Sequence, residues 1–203
     1  MDIPGREPEH PAAASALRGD VLVEAAGLDV QPAGHAVKVR GLQVHGESTD
    51  RAHSGQRVAV NLAGLDVGDL SRGDVLVQPG GLESTRRLDA TLMLLPHMRP
   101  LKHGSRVRFH SGTSEVMARV SLAAPVDADR GELLPGTLTP GRESYARLRL
   151  ERLVALTRGD RFVIRAYSPV VTIGGGRVLD PAPGRGPGVR FLPFLKPRSS
   201  PPG

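Results

Sequence analysis

The sequence predicts an all-β protein, built as two tandem small antiparallel β-barrels with disordered termini, and three observations point there. Apolar residues recur at every second position in many short runs, the period of a half-buried strand. Glycine and proline, 25 and 18 of the 203 residues, separate those runs at short intervals, as turns between strands require. Aromatic residues make up only 3% and tryptophan is absent, so the cores must rest on Val, Leu, Ile and Ala. The β-branched members of that set pack well on a pleated surface.

Residues 1–16 carry prolines and acidic side chains without apolar periodicity and are expected to be disordered. Residues 17–81 form the first predicted barrel. In VKVRGLQV the apolar phase moves from Val37 and Val39 to Leu42 and Val44, a one-residue slip that a β-bulge at Arg40 and Gly41 would absorb. Val58, Val60 and Leu62 then alternate strictly, and a short helical turn is expected near Asp66 to Leu70. The turn PGGL, Pro79 to Leu82, marks the predicted domain boundary.

Residues 82–181 form the second predicted barrel. Its strand signals are Leu88 to Leu94, Val107 to Phe109, Val116 to Leu122, Ala146 to Leu150 and Phe162 to Ile164. Five such signals in about a hundred residues argue for closure. On the strands opposite the core stand Arg106, Arg108 and His110, then Arg147, Arg149 and Glu151. TIGGGRVLD, Thr172 to Asp180, lacks G-x-G-x-x-G spacing, so its glycines are read as close backbone packing or a bulge. Residues 182–203, rich in proline and arginine and without an acidic residue, are expected to be a disordered tail.

Net charge is +6 and uneven: residues 18–81 sum to −2, residues 82–180 to +6 and residues 181–203 to +4. A basic surplus in the second barrel favours an anionic partner such as nucleic acid. There are no cysteines, which excludes disulfides and thiolate metal sites. The seven histidines show no metal-ligand spacing, so no metal site is expected. HGESTD, His45 to Asp50, gathers His, Glu, Ser and Asp in one loop, but triads are assembled in space and adjacency is no support. No catalytic residues are assigned. The Arg-Gly-Asp triplets at Arg18, Arg72 and Arg158 are read as glycine turns entering strands. No apolar run approaches membrane-spanning length, and neither a membrane partner nor a signal peptide is expected.

The segments RGLQVHGE, GQRVAVNLAGL and SRGDVLV, followed by LKHGSRVRFHSGTSEVMARV and RGDRFVIRAYSPVVTIGGGRVLDP, resemble the second and third β-barrel domains of a translation elongation factor of the Tu superfamily. Within it the likeness is to the selenocysteine-specific factor, over about Leu17 to Pro181. The likeness starts after the point where the family's second domain lays down its first strand, so the first barrel is expected to lack one. No G-x-x-x-x-G-K-[ST] occurs, so the family's phosphate-cradling loop, and with it the GTPase domain, has no counterpart here. The GTP and Mg of the full-length family are therefore not expected as cofactors of this chain, and no enzyme activity is expected.

The resemblance implies a tRNA-side fragment of a selenocysteine-specific translation elongation factor, acting in the cytoplasm. Its partners would be selenocysteinyl-tRNA and the ribosome or a separate GTPase domain. It places Arg57 against the aminoacyl group, where a guanidinium would favour an ionised selenol over a neutral serine hydroxyl. It places Arg106, Arg108, His110, Thr113, Arg165, Tyr167 and Ser168 along the acceptor and T stems, where arginines pair with phosphates and hydroxyls reach sugar edges. The alternative is a non-catalytic β-barrel binding module that acts with a separately encoded partner. An unrelated all-β enzyme ranks last.

Overall fold

The computed structural model describes residues 21–125 and 136–184. The disorder expected of 1–16 and 182–203 falls outside the described residues, apart from Ala182 to Gly184. The chain divides into two compact units, one up to Ser84 and one from Thr85 onward, with the short runs Gly112–Ser114 and Leu153–Ala155 grouped with the first.

The first unit contains β1 (Val21–Val23), β2 (Gly27–Gln31), β3 (His35–Val44), β4 (Glu47–Thr49), β5 (Arg51–His53), β6 (Val58–Ala63) and β7 (Val75–Val77). Strand β3 is long enough to pair with three neighbours: β2 through Val37 and Lys38, β4 through Leu42 to Val44, and β6 along most of its length. Its register against β6 shifts between Val39 and Gly41, which is the bulge that the phase slip requires, and so Val37, Val39 and Leu42 are all buried. His45 and Gly46, with φ of 55° and 88°, close the two-residue turn into β4, where both central residues must take left-handed backbone. The expected helical turn is a 3₁₀ segment, Val67–Asp69, with the Asp69 carboxylate accepting from the Asp66 N–H at 3.0 Å. These sheets stay open. They enclose one apolar cluster centred on Leu22, Leu28, Val30, Val39, Leu42, Ala52 and Leu76.

The second unit holds β8 (Ser84–Leu94), β9 (Leu101–Lys102), β10 (Arg106–Ser111), β11 (Ser114–Pro125), β12 (Thr137–Leu138), β13 (Glu143–Ala155), β14 (Arg161–Ala166) and β15 (Thr172–Asp180). Six of these close a barrel in the order β10, β11, β13, β8, β15, β14. Period-two alternation sends Leu88, Ala90, Leu92 and Leu94 inward from β8, Val107 and Phe109 from β10, and Phe162 and Ile164 from β14. Phe109 and Phe162 meet with ring centroids 4.9 Å apart.

Two of these expectations gain detail here. The glycine run of Thr172 to Asp180 packs closely against neighbouring backbone, as its glycines indicate, and does so as a sixth strand beyond the five strand signals, since Gly174, Gly175 and Gly176 pair with both β14 and β8. A β-carbon on Gly174 or Gly176 would collide with the carbonyl oxygen of Met93 or Thr91, so only glycine lets β15 complete the wall. Arg147 is not an open surface cation. It donates through Nε and Nη2 to Asp89 at 2.7 and 2.9 Å, and the two side chains are only 11% and 5% exposed.

Replacing Gly176 with Ala should therefore destabilise the fold by about 1–3 kcal/mol, the range for forced overpacking. Gly27→Ala, where a β-carbon meets open space, should leave stability unchanged or raise it by up to about 1 kcal/mol. Denaturant midpoints of the two variants check this; equal losses would contradict the closure argument.

Candidate nucleic-acid interface

Strands β10 and β14 lie side by side and antiparallel, with Arg108 opposite Arg165 and His110 opposite Val163. Because Val107, Phe109, Phe162 and Ile164 take the inner positions, alternation forces Arg106, Arg108, His110 and Arg165 onto one outer face. Tyr167 lies just beyond β14 and is 53% exposed. The guanidinium carbons of Arg106 and Arg108 sit 5.3 and 5.9 Å from its ring centroid, within cation–π range. Arg165 Nη2 donates to the Val170 carbonyl at 3.1 Å, and the Ala166 N–H donates to the Val171 carbonyl at 2.9 Å. Those two bonds hold the loop that carries Tyr167 and Ser168.

Of the seven residues expected along an RNA stem, five thus converge: Arg106, Arg108, His110, Arg165 and Tyr167. Ser168 follows on the same loop and is exposed. Thr113 stands in the turn after β10.

The sequence missed the carboxylates that balance this face. Glu151 accepts from Arg106 Nε and Nη2, both at 2.8 Å, and Glu115 accepts from Arg108 Nη1 at 2.7 Å. Hydrogen bonding to Arg106 and Arg108 holds the Glu151 and Glu115 carboxyls below the usual range, and the same bond raises Arg106. Both pairs are partly exposed, so they contribute little to stability and a phosphate can displace or share them. Burial lowers the His110 pKa, and Arg165 and Arg108 push the same way while Glu115 opposes. The balance of these causes favours the neutral imidazole relative to a free histidine. Arg108 Nε, Arg165 Nε and His110 Nε2 are shielded and have no hydrogen-bond partner. Unmet polar groups of this kind carry a desolvation penalty, and three of them share one face.

Arg57 belongs to the first unit and is exposed in the loop between β5 and β6. The neighbouring Gln56 shapes that loop by accepting from the His53 N–H at 2.7 Å. Arg57 does not line the pocket of about 690 Å³ in this unit, which is bounded by Glu24, Arg40, Thr49, Asp50, Asn61 and Leu65 among others. Its lining includes Arg40 and Gly41 of the bulge, Ser48 to Asp50 of the HGESTD loop, and Asp66, Val67 and Leu70 of the helical turn. Among the described residues no group of His, Asp and Glu is arranged to hold a metal ion, and no helix is long and apolar enough to cross a membrane.

Residues 88–185 match the family described as "Selenocysteine-specific elongation factor, beta-barrel domain". Over 155 residues the chain is 38% identical to the selenocysteine-specific elongation factor of Desulfomicrobium baculatum, covering 76% of this chain and 23% of that protein. It is 28% identical to elongation factor 1-alpha of Archaeoglobus fulgidus over 164 residues, covering 75% of this chain and 38% of the relative. The chain thus spans well under half the length of these relatives. Among solved structures, translation elongation factor SelB from Methanococcus maripaludis in its apo form matches with a TM-score of 0.68 at 23% identity, covering 80% of this chain and 38% of that one. Sup35 complexed with GDP matches with a TM-score of 0.69 at 20% identity, covering 80% and 42%. At those identities the two structures establish the fold alone.

A pH titration followed by NMR should give midpoints below 4.5 for Glu115 and Glu151 and below 6.5 for His110. All three groups have folded values below their unfolded ones, so each stabilises at higher pH and loses its contribution on acidification. The loss begins below 6.5 for His110 and below the ordinary carboxylate value for the two glutamates. Unshifted midpoints would show that the ion pairs and the imidazole packing do not persist in solution.

Proposed function

The chain belongs to the selenocysteine-specific elongation factor family and carries its β-barrel part, and on that premise we propose that it binds the stem of an aminoacyl-tRNA without catalysing a reaction itself. The observation that carries this reading is the convergence of Arg106, Arg108 and Arg165 with Tyr167 on one outer face of the closed barrel. Guanidinium groups are suited to phosphate oxygens by their planar fork, and a tyrosine ring beside them offers a hydroxyl and an apolar surface to a ribose. Contacts of this kind recognise the shape of a duplex and not its sequence. Ser168, at the edge, supplies a further hydroxyl, and Thr113, in the turn after β10, is the remaining residue that the family resemblance implies. The two domains, 17–81 and 82–181, divide the labour: the second holds the stem and the first faces the aminoacyl end through Arg57.

In this reading Arg57 favours selenocysteinyl over seryl ester because a selenol ionises more readily than a thiol, whose pKa is about 8.5. The sequence contains no phosphate-cradling loop, so GTP chemistry belongs to a separate domain and the site of action is the cytoplasmic translation machinery.

Removal of Arg106, Arg108 and Arg165 together, each to Ala, should weaken tRNA binding and flatten its salt dependence. For every phosphate no longer neutralised, the slope of log affinity against log salt should fall by about 0.9, a duplex value used as a guide. Fluorescence anisotropy over a salt series reads both quantities, and an unchanged slope would overturn the stem-binding face. Arg57→Ala should leave uncharged tRNA binding intact while removing any preference between the two esters. Calorimetry should detect no GTP binding; micromolar affinity would refute the assignment of GTP chemistry elsewhere.

A further inference from the structure

Strand β14 carries a second outward arginine that neither the sequence nor the family resemblance singled out. Arg161 stands directly opposite Arg177 of β15, and both are exposed. Like charges facing each other across neighbouring strands are destabilising. Elsewhere on the barrel the fold supplies carboxylates, as Glu151 does for Arg106, Glu115 for Arg108 and Asp89 for Arg147. A further like-charged pair, Arg119 opposite Arg149, has Arg119 Nη1 donating to the Gly104 carbonyl at 3.4 Å. Arg161 and Arg177 have neither a hydrogen-bond nor an ion-pair partner among the described residues. Of the acidic residues beside them in the chain or sheet, Asp160 accepts from the Thr157 N–H at 2.8 Å and Asp180 from the Ala182 N–H at 2.9 Å.

The geometry relates this pair to the face already described. Arg161 and Arg165 lie four residues apart on the same side of β14, a separation of about 13 Å at roughly 3.3 Å per residue. Between the two arginine rungs runs a row without arginine, lysine or carboxylate, His110, Val163, Gly175 and Met93, each opposite the next in register. Val163 and Met93 are exposed, and Gly175 presents bare backbone between them. The surface is therefore low and neutral in the middle and cationic at both margins.

We propose that Arg161 and Arg177 form a second phosphate-binding rung, so that one RNA duplex lies across β10, β14 and β15 and is held at two separate places on its backbone. This inference rests on the stem-binding reading above and extends the surface by a distance no single phosphate could bridge. The sugar edges of the duplex lie over Val163 and Gly175, where a smooth, uncharged surface admits them whatever the base sequence. Two arginine rungs flanking a neutral strip fit a regular polyanion better than an acidic protein surface, whose carboxylates have no fixed repeat.

The test uses the full chain, an unmodified tRNA transcript and a single-stranded oligouridine as probes, with anisotropy measured over a salt series. Arg161→Gln with Arg177→Gln should weaken tRNA binding and reduce the salt slope by about one to two, the value for one or two phosphates left unneutralised. It should matter less for the single strand. The unfolding midpoint should hold or rise, because the substitution removes a repulsion; a fall would reveal a structural role and overturn the proposal. Equal weakening by Arg51→Gln with Arg72→Gln, in the other unit, would reduce the effect to diffuse charge and also overturn it. If the wild-type chain binds no tRNA, the stem-binding reading fails and this inference with it. If binding responds to Arg106, Arg108 and Arg165 but not to Arg161 and Arg177, the second rung alone is refuted.

Discussion

Closure of the six-stranded barrel depends on how near β15 can come to β8 and β14. Three consecutive glycines make that approach possible, because carbonyl oxygens of Thr91 and Met93 occupy the space where β-carbons would stand. With β15 seated, β14 has a fixed partner on one side and β10 on the other, and the register of both pairs follows. That register decides which side chains meet on the outside. A one-residue slip of β14 would turn Arg161 and Arg165 inward and Phe162 and Ile164 outward, exchanging a charged face for an apolar one.

Charge on this barrel is arranged in two ways. Some arginines are tied to carboxylates, most completely in the Asp89–Arg147 pair, where nearly full burial makes removal of either partner expensive because an unpaired charge would remain. Others are paired at the surface or left without acids. The net charge of the segment therefore overstates the cation that a ligand meets at Arg106 and Arg108 and understates it at Arg161 and Arg177.

Much of this architecture was legible in the sequence because alternation encodes facing. Leu88 to Leu94 and Val107 to Phe109 announced both their strands and their inner sides, and the phase slip at Arg40 announced the bulge. What was illegible depended on contacts between distant positions. Asp89 looks like any polar residue in an alternating run until β13 brings Arg147 beside it, 58 residues later. Glu115 is only seven residues from Arg108, but a hairpin register is needed to place it within reach. The strand of Thr172 to Asp180 was hidden because glycine has no side chain and so leaves no apolar period, although its backbone forms a wall. The position of Thr113 depended on where the turn after β10 ended, and a strand pattern fixes ends poorly.

The surface pairs of Arg106 with Glu151 and Arg108 with Glu115 have a bearing on selectivity by valence. Each arginine arrives already served by a tethered anion of its own chain, whose local concentration no dissolved monoanion in dilute solution matches. Chloride or a lone carboxylate therefore exchanges one weak partner for another and gains nothing. A rigid polyanion differs, because seating one of its groups brings the next into place, and the chain's own glutamates, attached to separate strands, cannot act in concert against it. On the stem-binding proposal, the carboxylates would set a threshold that scattered charge fails to cross and that a regularly spaced backbone crosses at once.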